Sequence, residues 1–147
     1  MLEKQVIQSI GFHNNVEGDK VIGFQLRIRL PYYRGIYLSQ IRPGTLYVDG
    51  QKFDRKDIIW EFEGKQYSYE DLKVDRFEHW NVTEAATLKI ALAGGLSQGF
   101  HDIKYGFCFT SSYMPPAMQA LLDPDKELPF LMPEFGHHVN TRRLIIV

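Results

Sequence analysis

Residues 24–30, Phe-Gln-Leu-Arg-Ile-Arg-Leu, alternate strictly between apolar and polar side chains. A period of two fits an extended strand with one dry face and one wet face, because successive side chains leave a strand on opposite sides. Phe24, Leu26, Ile28 and Leu30 are therefore expected to face a core, with Gln25, Arg27 and Arg29 in water. Pro31 ends the ladder because it has no N–H to donate. The chain then runs Tyr32-Tyr33-Arg34-Gly35-Ile36-Tyr37. A core strand thus delivers aromatic and cationic groups to a rim, which is how a rigid scaffold presents a contact site. One of Tyr32 and Tyr33 is expected to plug the end of the core and the other to face outward.

The same period recurs along the chain. Val6–Ile10 reads as a first strand, extending toward Asn14. Asn15–Asp19 is turn chemistry around Gly18, so this strand and the next should form a hairpin. Thr45–Val48 is a short strand, Asp49-Gly50 a tight turn, and Phe53 packs back on it. Asp54–Asp57 suits a polar turn or a single helical turn. Ile58, Trp60 and Phe62 alternate with Ile59, Glu61 and Glu63, and Glu63-Gly64 turns again. Ser68 can cap a helical turn through Leu72. Residues 74–82 carry no clear period. Thr87–Leu92 is a strand, and Gly94–Gly99 is expected to close a hairpin into a long strand, Phe100–Tyr113, with Ile103, Tyr105, Phe107 and Phe109 inward.

From Met114 to Asn140 the period stops, and five of the seven prolines lie there. Such an excursion inside a domain is uncommon and usually functional. It keeps Met118, Leu121, Leu122, Phe130, Leu131 and Phe135, too apolar for a free linker, so it should pack on the body or on a partner. Arg142–Val147 reads as a last strand, apolar on both faces, and therefore central or covered. The expectation is an all-β chain: one antiparallel sandwich domain over 1–147, with about seven to nine short strands and one proline-rich excursion before the last.

A net charge of −1 argues against nucleic acid, which needs a basic footprint. No segment approaches the ~20 apolar residues of a membrane helix. The single cysteine, Cys108, rules out an internal disulfide and suits a reducing, cytoplasmic setting. The N-terminus carries no signal-peptide pattern, so the Asn81-Val82-Thr83 sequon is expected to be silent.

Reaction chemistry is hard to find. Glu134, His137 and His138 lack the helical spacing that puts two imidazoles on one face, and adjacent histidines on an extended chain point apart. His13, His79 and His101 are scattered. Glu61 and Glu63 share a solvated strand face rather than the contrasting environments of an acid/base pair. There is no G-x-S-x-G, Ser111 and Ser112 read as loop residues, and Cys108 reads as an inert strand residue. The glycines at 94, 95 and 99 precede no helix, so they are no phosphate loop. What remains is a recognition surface, with Tyr32, Tyr33, Arg34 and Tyr37 on one side and Tyr113, Met114, Pro115 and Pro116 on the other. Tyr, Met and Arg are enriched at interface centres. Sugars also stack on tyrosine faces, so a carbohydrate platform uses the same residues.

Leu30-Pro-Tyr-Tyr-Arg-Gly-Ile36 followed by Leu38-Ser39, together with Gly94-Gly95-Leu96, Gly99-x-His101 and Ser112-Tyr-Met-Pro115, resembles the small (beta) subunit of bacterial C-glycoside deglycosidases along almost the whole chain. The resemblance implies a β-sandwich subunit of a hetero-oligomer, with neither a metal nor catalytic residues of its own. Its partner would be a large (alpha) subunit resembling TIM-barrel isomerases and epimerases, holding a divalent metal, usually manganese. The implied reaction is carbon–carbon lyase chemistry on a 3-oxo-C-glucoside of a flavonoid or related phenol. A ketone at sugar C3 makes the C2 proton acidic. A base on the large subunit can remove that proton while the metal stabilises the enediolate, and elimination then frees the aglycone. Two other readings of the residues stay open: a free-standing carbohydrate-binding module, and a small metal-dependent sugar enzyme using His101, Glu134, His137 and His138.

Overall fold

The alternating stretch forms the C-terminal half of a nine-residue strand, β2 (Lys20–Ile28), and runs two residues past its end, in a computed structural model that describes residues 5–110, 123–125 and 139–147. Phe24, Leu26 and Ile28 are fully buried, and Leu30 beyond the strand end is 1% exposed. β2 pairs antiparallel with β1 (His13–Glu17) on one side and β10 (Ala86–Ala91) on the other. Next to β10 come β7 (Ile58–Phe62) and β8 (Lys65–Tyr67), giving a five-stranded sheet in the order β1-β2-β10-β7-β8. A four-stranded sheet has the order β13-β11-β5-β6, built from Asn140–Ile146, Gly99–Tyr105, Leu46–Val48 and Gln51–Phe53. Two short ribbons complete it: β3 (Ile36–Tyr37) with β9 (His79–Trp80), and β4 (Ile41–Arg42) with β12 (Cys108–Phe109). Every described pairing is antiparallel. The architecture is all-β and sandwich-like, with more and shorter strands than the periodicity predicts.

The apolar faces of the two larger sheets meet. Phe24 of β2 stands edge-on to Phe53 of β6 at 5.3 Å between ring centroids. Trp60 of β7 packs against Trp80 at 5.7 Å and Phe107 at 6.2 Å. Such edge-on pairs add about 0.5–1.5 kcal/mol to the burial of the rings themselves. Local chemistry closes the turns as expected. Asp49-Gly50 and Glu63-Gly64 both take positive φ, the mirror-image turn that suits the strand twist. Ser68 caps α1 (Tyr69–Val74): its Oγ accepts from the Asp71 N–H while the Asp71 carboxylate accepts from the Ser68 N–H. Asp54–Asp57 is a capped single turn.

Four expectations are corrected. First, Gly94–Gly99 is a crossover rather than a hairpin loop, because β10 and β11 lie in different sheets. Its glycines signal a reversal of the chain but carry no information about which strand follows as a neighbour. Second, Val6–Ile10 and β1 are not one strand. Residues 6–8 bond to β2 through Gln8 N–H to Arg27 O and Arg29 N–H to Val6 O. The chain then bends at Gly11, φ +91°, where a Cβ would stand 2.3 Å from Arg27 Cδ. Third, the strand expected over 100–113 breaks at Gly106 and moves on to pair with β4 as β12. A Cβ on Gly44 would lie 1.9 Å from the Gly106 carbonyl oxygen, so two backbones cross here with no room for a side chain. Fourth, β13 is not central. It is the outermost described strand of its sheet, with Leu144 and Ile146 inward and Ile145 45% exposed. An apolar run alone cannot distinguish a covered strand from one with a single dry face.

Close backbone approach also sets a stability prediction. A Cβ on Gly23 would fall 2.0 Å from the Ile90 carbonyl oxygen across the β2–β10 ladder. Gly23→Ala is therefore expected to destabilise the fold by about 2 kcal/mol or more through overpacking, read as a lower urea midpoint. An unchanged midpoint would show that the two strands separate freely.

Candidate interaction surface

The β3–β9 ribbon is only two residues deep, and its parity decides what it shows. Ile36 and Trp80 turn inward, at 3% and 0% exposure. Their neighbours Tyr37 and His79 are cross-strand partners and turn outward, with ring centroids 4.0 Å apart. Trp80 is anchored further because its indole N–H donates to the Glu84 carbonyl at 2.8 Å. Backbone bonds extend the pairing: Leu38 N–H to Glu78 O and Ser39 N–H to Asp75 O. Phe77, two residues before His79, is 90% exposed, and Val74 at the end of α1 is 75% exposed.

The segment leading into β3 divides its two tyrosines. Tyr32 packs on the core, with its ring 5.0 Å from Phe109 and 4.4 Å from Tyr33. Burial, and secondarily its tyrosine neighbour, raises the Tyr32 phenol above its ordinary pKa. Tyr33 is 75% exposed, with the Arg34 guanidinium carbon 5.6 Å from its ring centroid. Tyr32 is thus the plug and Tyr33 the outward group. Tyr113, Met114, Pro115 and Pro116 lie outside the described residues. The Phe109 contact does bring the chain that leads toward them beside Tyr32. Because β3 and β9 run antiparallel, Tyr33–Arg34 and Phe77 flank opposite ends of the ribbon, with the Tyr37–His79 pair between them. Phe77 and Val74 are not among the candidates read from the sequence, and His79 figures there only as a scattered histidine.

Part of the proline-rich excursion touches the body. The Asp125 carboxylate accepts from Thr45 N–H at 3.0 Å and Thr45 Oγ1 at 2.9 Å. Asp123 meets Arg55 at 2.7 Å. Arg55, Asp123, Arg42, Tyr69, Leu72 and Lys73 line a cavity of about 280 Å³. Its cations are already engaged. Arg55 is bound to Asp123, Arg42 donates to the Ser39 and Ile41 carbonyls, and Lys73 sits over the Tyr69 ring at 4.3 Å.

No reaction centre gathers elsewhere in the described part. No three histidine, cysteine, aspartate or glutamate side chains converge there. His101 spends both ring nitrogens within the fold, on Asp49 Oδ2 and Ser97 O, which leaves none for a metal. His13 Nδ1 lies 2.9 Å from the Asn14 carbonyl oxygen. Glu134, His137 and His138 lie outside the described residues. Glu61 bridges to Lys89 at 2.8 Å on the wet face of its sheet. Glu84 was not singled out from the sequence. Burial, and then Glu63, raises its carboxyl, and its Oε1 has no hydrogen-bond partner. Cys108 is fully buried.

Comparison with known proteins gives a consistent result. A family model described as C-glycoside deglycosidase beta subunit matches residues 2–113. A protein of Eubacterium cellulosolvens named C-glycoside deglycosidase beta subunit is 58% identical over 147 residues, covering 99% of this chain and 100% of its own length. A Microbacterium sp. protein named 3'-dehydrocarminate deglycosidase beta subunit is 27% identical over 99 residues, 67% of this chain and 74% of that protein.

Proposed function

The chain belongs to the C-glycoside deglycosidase beta subunit family, and we propose that it is the non-catalytic subunit of a hetero-oligomeric lyase that cleaves the carbon–carbon glycosidic bond of a flavonoid-type 3-oxo-C-glucoside. The observation that carries this reading is the pair of exposed aromatic rings that flank the β3–β9 ribbon. Tyr33 and Phe77 are 75% and 90% exposed, and Tyr, Phe and Arg are the types enriched at interface centres. Burying one such ring is worth about 1.5–3 kcal/mol, which water forgoes until a partner covers it.

The partner is a larger catalytic subunit of TIM-barrel type that carries the base and a divalent metal, manganese for preference. The described donors of this chain do not suit a metal, since His101 is doubly engaged and no third ligand approaches it, so no step is assigned to a metal here. The substrate class follows from chemistry. An aryl carbon is a poor leaving group, and a ketone at C3 acidifies the C2 proton. A base of the partner takes that proton, the C2 electron pair forms the C1–C2 double bond, and C1–C(aryl) breaks as the aryl carbon accepts a proton. A relative named for a 3'-dehydro substrate supports the oxidised sugar. This chain docks, holds the partner's loops and shapes the substrate entrance. No described helix is long and apolar enough to cross a membrane. The proposed compartment is the cytoplasm, where the Cys108 thiol stays reduced.

Co-expression with the large subunit, followed by size-exclusion chromatography and assay on a 3-oxo-C-glucoside, tests the reading. The expected result is one co-eluting complex whose activity needs both chains. Separate elution, with full activity in the large subunit alone, would sink it. Glycoside binding by this chain as a monomer would instead favour a carbohydrate-binding module. Stoichiometric metal on the chain purified alone would favour the small metal-dependent enzyme.

A further inference from the structure

His101 sits on the inward face of β11 at 6% exposure, where alternation would place an apolar residue. Its Nδ1 lies 2.6 Å from Asp49 Oδ2 and its Nε2 lies 2.7 Å from the Ser97 carbonyl oxygen. A carboxylate and a carbonyl are acceptors only. A neutral imidazole carries one N–H and can satisfy one of them, whereas the imidazolium donates to both. Asp49 belongs to the β5–β6 turn at φ +51°, and Ser97 belongs to the crossover between the two large sheets. One side chain therefore ties the crossover to a turn of the second sheet.

We propose that His101 is a protonation-dependent latch: as the imidazolium it clamps the 94–99 crossover to the β5–β6 turn, and on losing a proton it lets one of the two go. The groups facing it agree. Asp49 accepts from the Asp102 N–H at 2.8 Å as well as from His101. Asp102 follows on β11 and is bridged by Arg143 of β13 at 2.9 Å. Phe12 approaches His101 edge-on at 6.3 Å and supplies no charge. Burial alone would lower the pKa of His101. The bonds to Ser97 and Asp49, with the Asp49 and Asp102 charges, outweigh it, so the net shift is upward from 6.5. Asp49 shifts down from 3.8, first through the Asp102 N–H and then through His101.

The sign follows from linkage. A raised folded-state pKa means that the latch contributes its full stability below 6.5, the ordinary value. That contribution disappears as pH rises through the higher folded-state value. On the acid side, the contribution of Asp49 holds above 3.8 and is lost as pH falls through its depressed value. The clamp is therefore complete between those two ordinary values. Asn14 also holds the crossover, with Oδ1 accepting from Leu96 N–H and Nδ2 donating to Leu96 O, both at 2.8 Å. Asn14 does not titrate, so release is confined to residues beyond Leu96.

An NMR titration of the full chain, with the His101 ring nitrogens observed directly, tests the latch on the wild type. Both nitrogens are expected to carry protons above pH 6.5. Hydrogen exchange of a peptide spanning 94–100, corrected for its intrinsic base catalysis, is expected to rise by up to about tenfold per pH unit from 6.5 to the His101 midpoint and to level off above it. Asp49→Asn keeps an acceptor for Asp102 but removes the charge, so the titration and the exchange midpoint should move down together. A ring that titrates at or below 6.5, or exchange that is independent of pH, would overturn the latch. Both wild-type readouts stand even where the variant fails to fold.

Discussion

A chain carrying Tyr33→Ala, Arg34→Ala and Phe77→Ala is expected to fold as the wild type does and to lose its assembly with the catalytic subunit. The fold should tolerate the change because little is buried at these sites: Tyr33 and Phe77 are 75% and 90% exposed. Exposed substitutions away from special features usually stay within about 0.5 kcal/mol. Assembly should not tolerate it. An aromatic anchor at an interface centre typically costs about 2 kcal/mol or more on truncation. Two anchors together imply a dissociation constant raised by about a thousandfold, with Arg34 removed so that it cannot substitute for the ring it covers. Thermal melting of the isolated chain and size-exclusion with the large subunit separate the two effects. Val16→Ala is the control, an apolar side chain of 63% exposure on β1, and it should leave assembly intact. A triple variant that still assembles would place the docking surface elsewhere and leave family membership untouched. A triple variant that melts early would make these residues part of the core.

The second large effect lies inside. Trp60→Ala is expected to cost about 3–5 kcal/mol, against a total stability on the order of 5–15 kcal/mol. Trp60 is fully buried and packs on three rings: Phe62 of its own strand, Trp80 of the β3–β9 ribbon, and Phe107 in the link between β11 and β12. The cavity left behind cannot close without shifting all three rings. In a chain of this size the melting temperature should fall by about 10 °C. Trp60→Phe should cost distinctly less than its lost volume suggests. The Trp60 indole N–H is buried with no hydrogen-bond partner, and removing an unsatisfied donor recovers part of its desolvation cost. Equal losses in the two variants would mean that the indole N–H is satisfied in solution.

Some of this was legible along the chain. The inward sets Phe24/Leu26/Ile28 and Ile58/Trp60/Phe62 follow from period two alone. The Asp49-Gly50 and Glu63-Gly64 turns and the Ser68 cap follow from residues adjacent in sequence. These are local facts, and local physics suffices for them. The crossover at 94–99 was misread because tight-turn chemistry is the same whether the next strand pairs beside the last or joins another sheet. The His101 latch was invisible because its acceptor, Asp49, is 52 residues away.

The candidate surface divides in the same way. The sequence by itself determined that a β-rich chain would present Tyr32, Tyr33 and Arg34 at the end of a core strand, because Pro31 stops the ladder wherever the strand sits. Only the tertiary structure decided which tyrosine packs on the core. Phe109 comes from a strand far along the chain, and its ring lies against Tyr32, leaving Tyr33 in water. Only the tertiary structure added Phe77 and His79, since residues 74–82 carry no period and gain their orientation from pairing with β3. Strand parity is written in consecutive residues. Which strands meet is settled by the burial of apolar faces that sequence neighbours do not share.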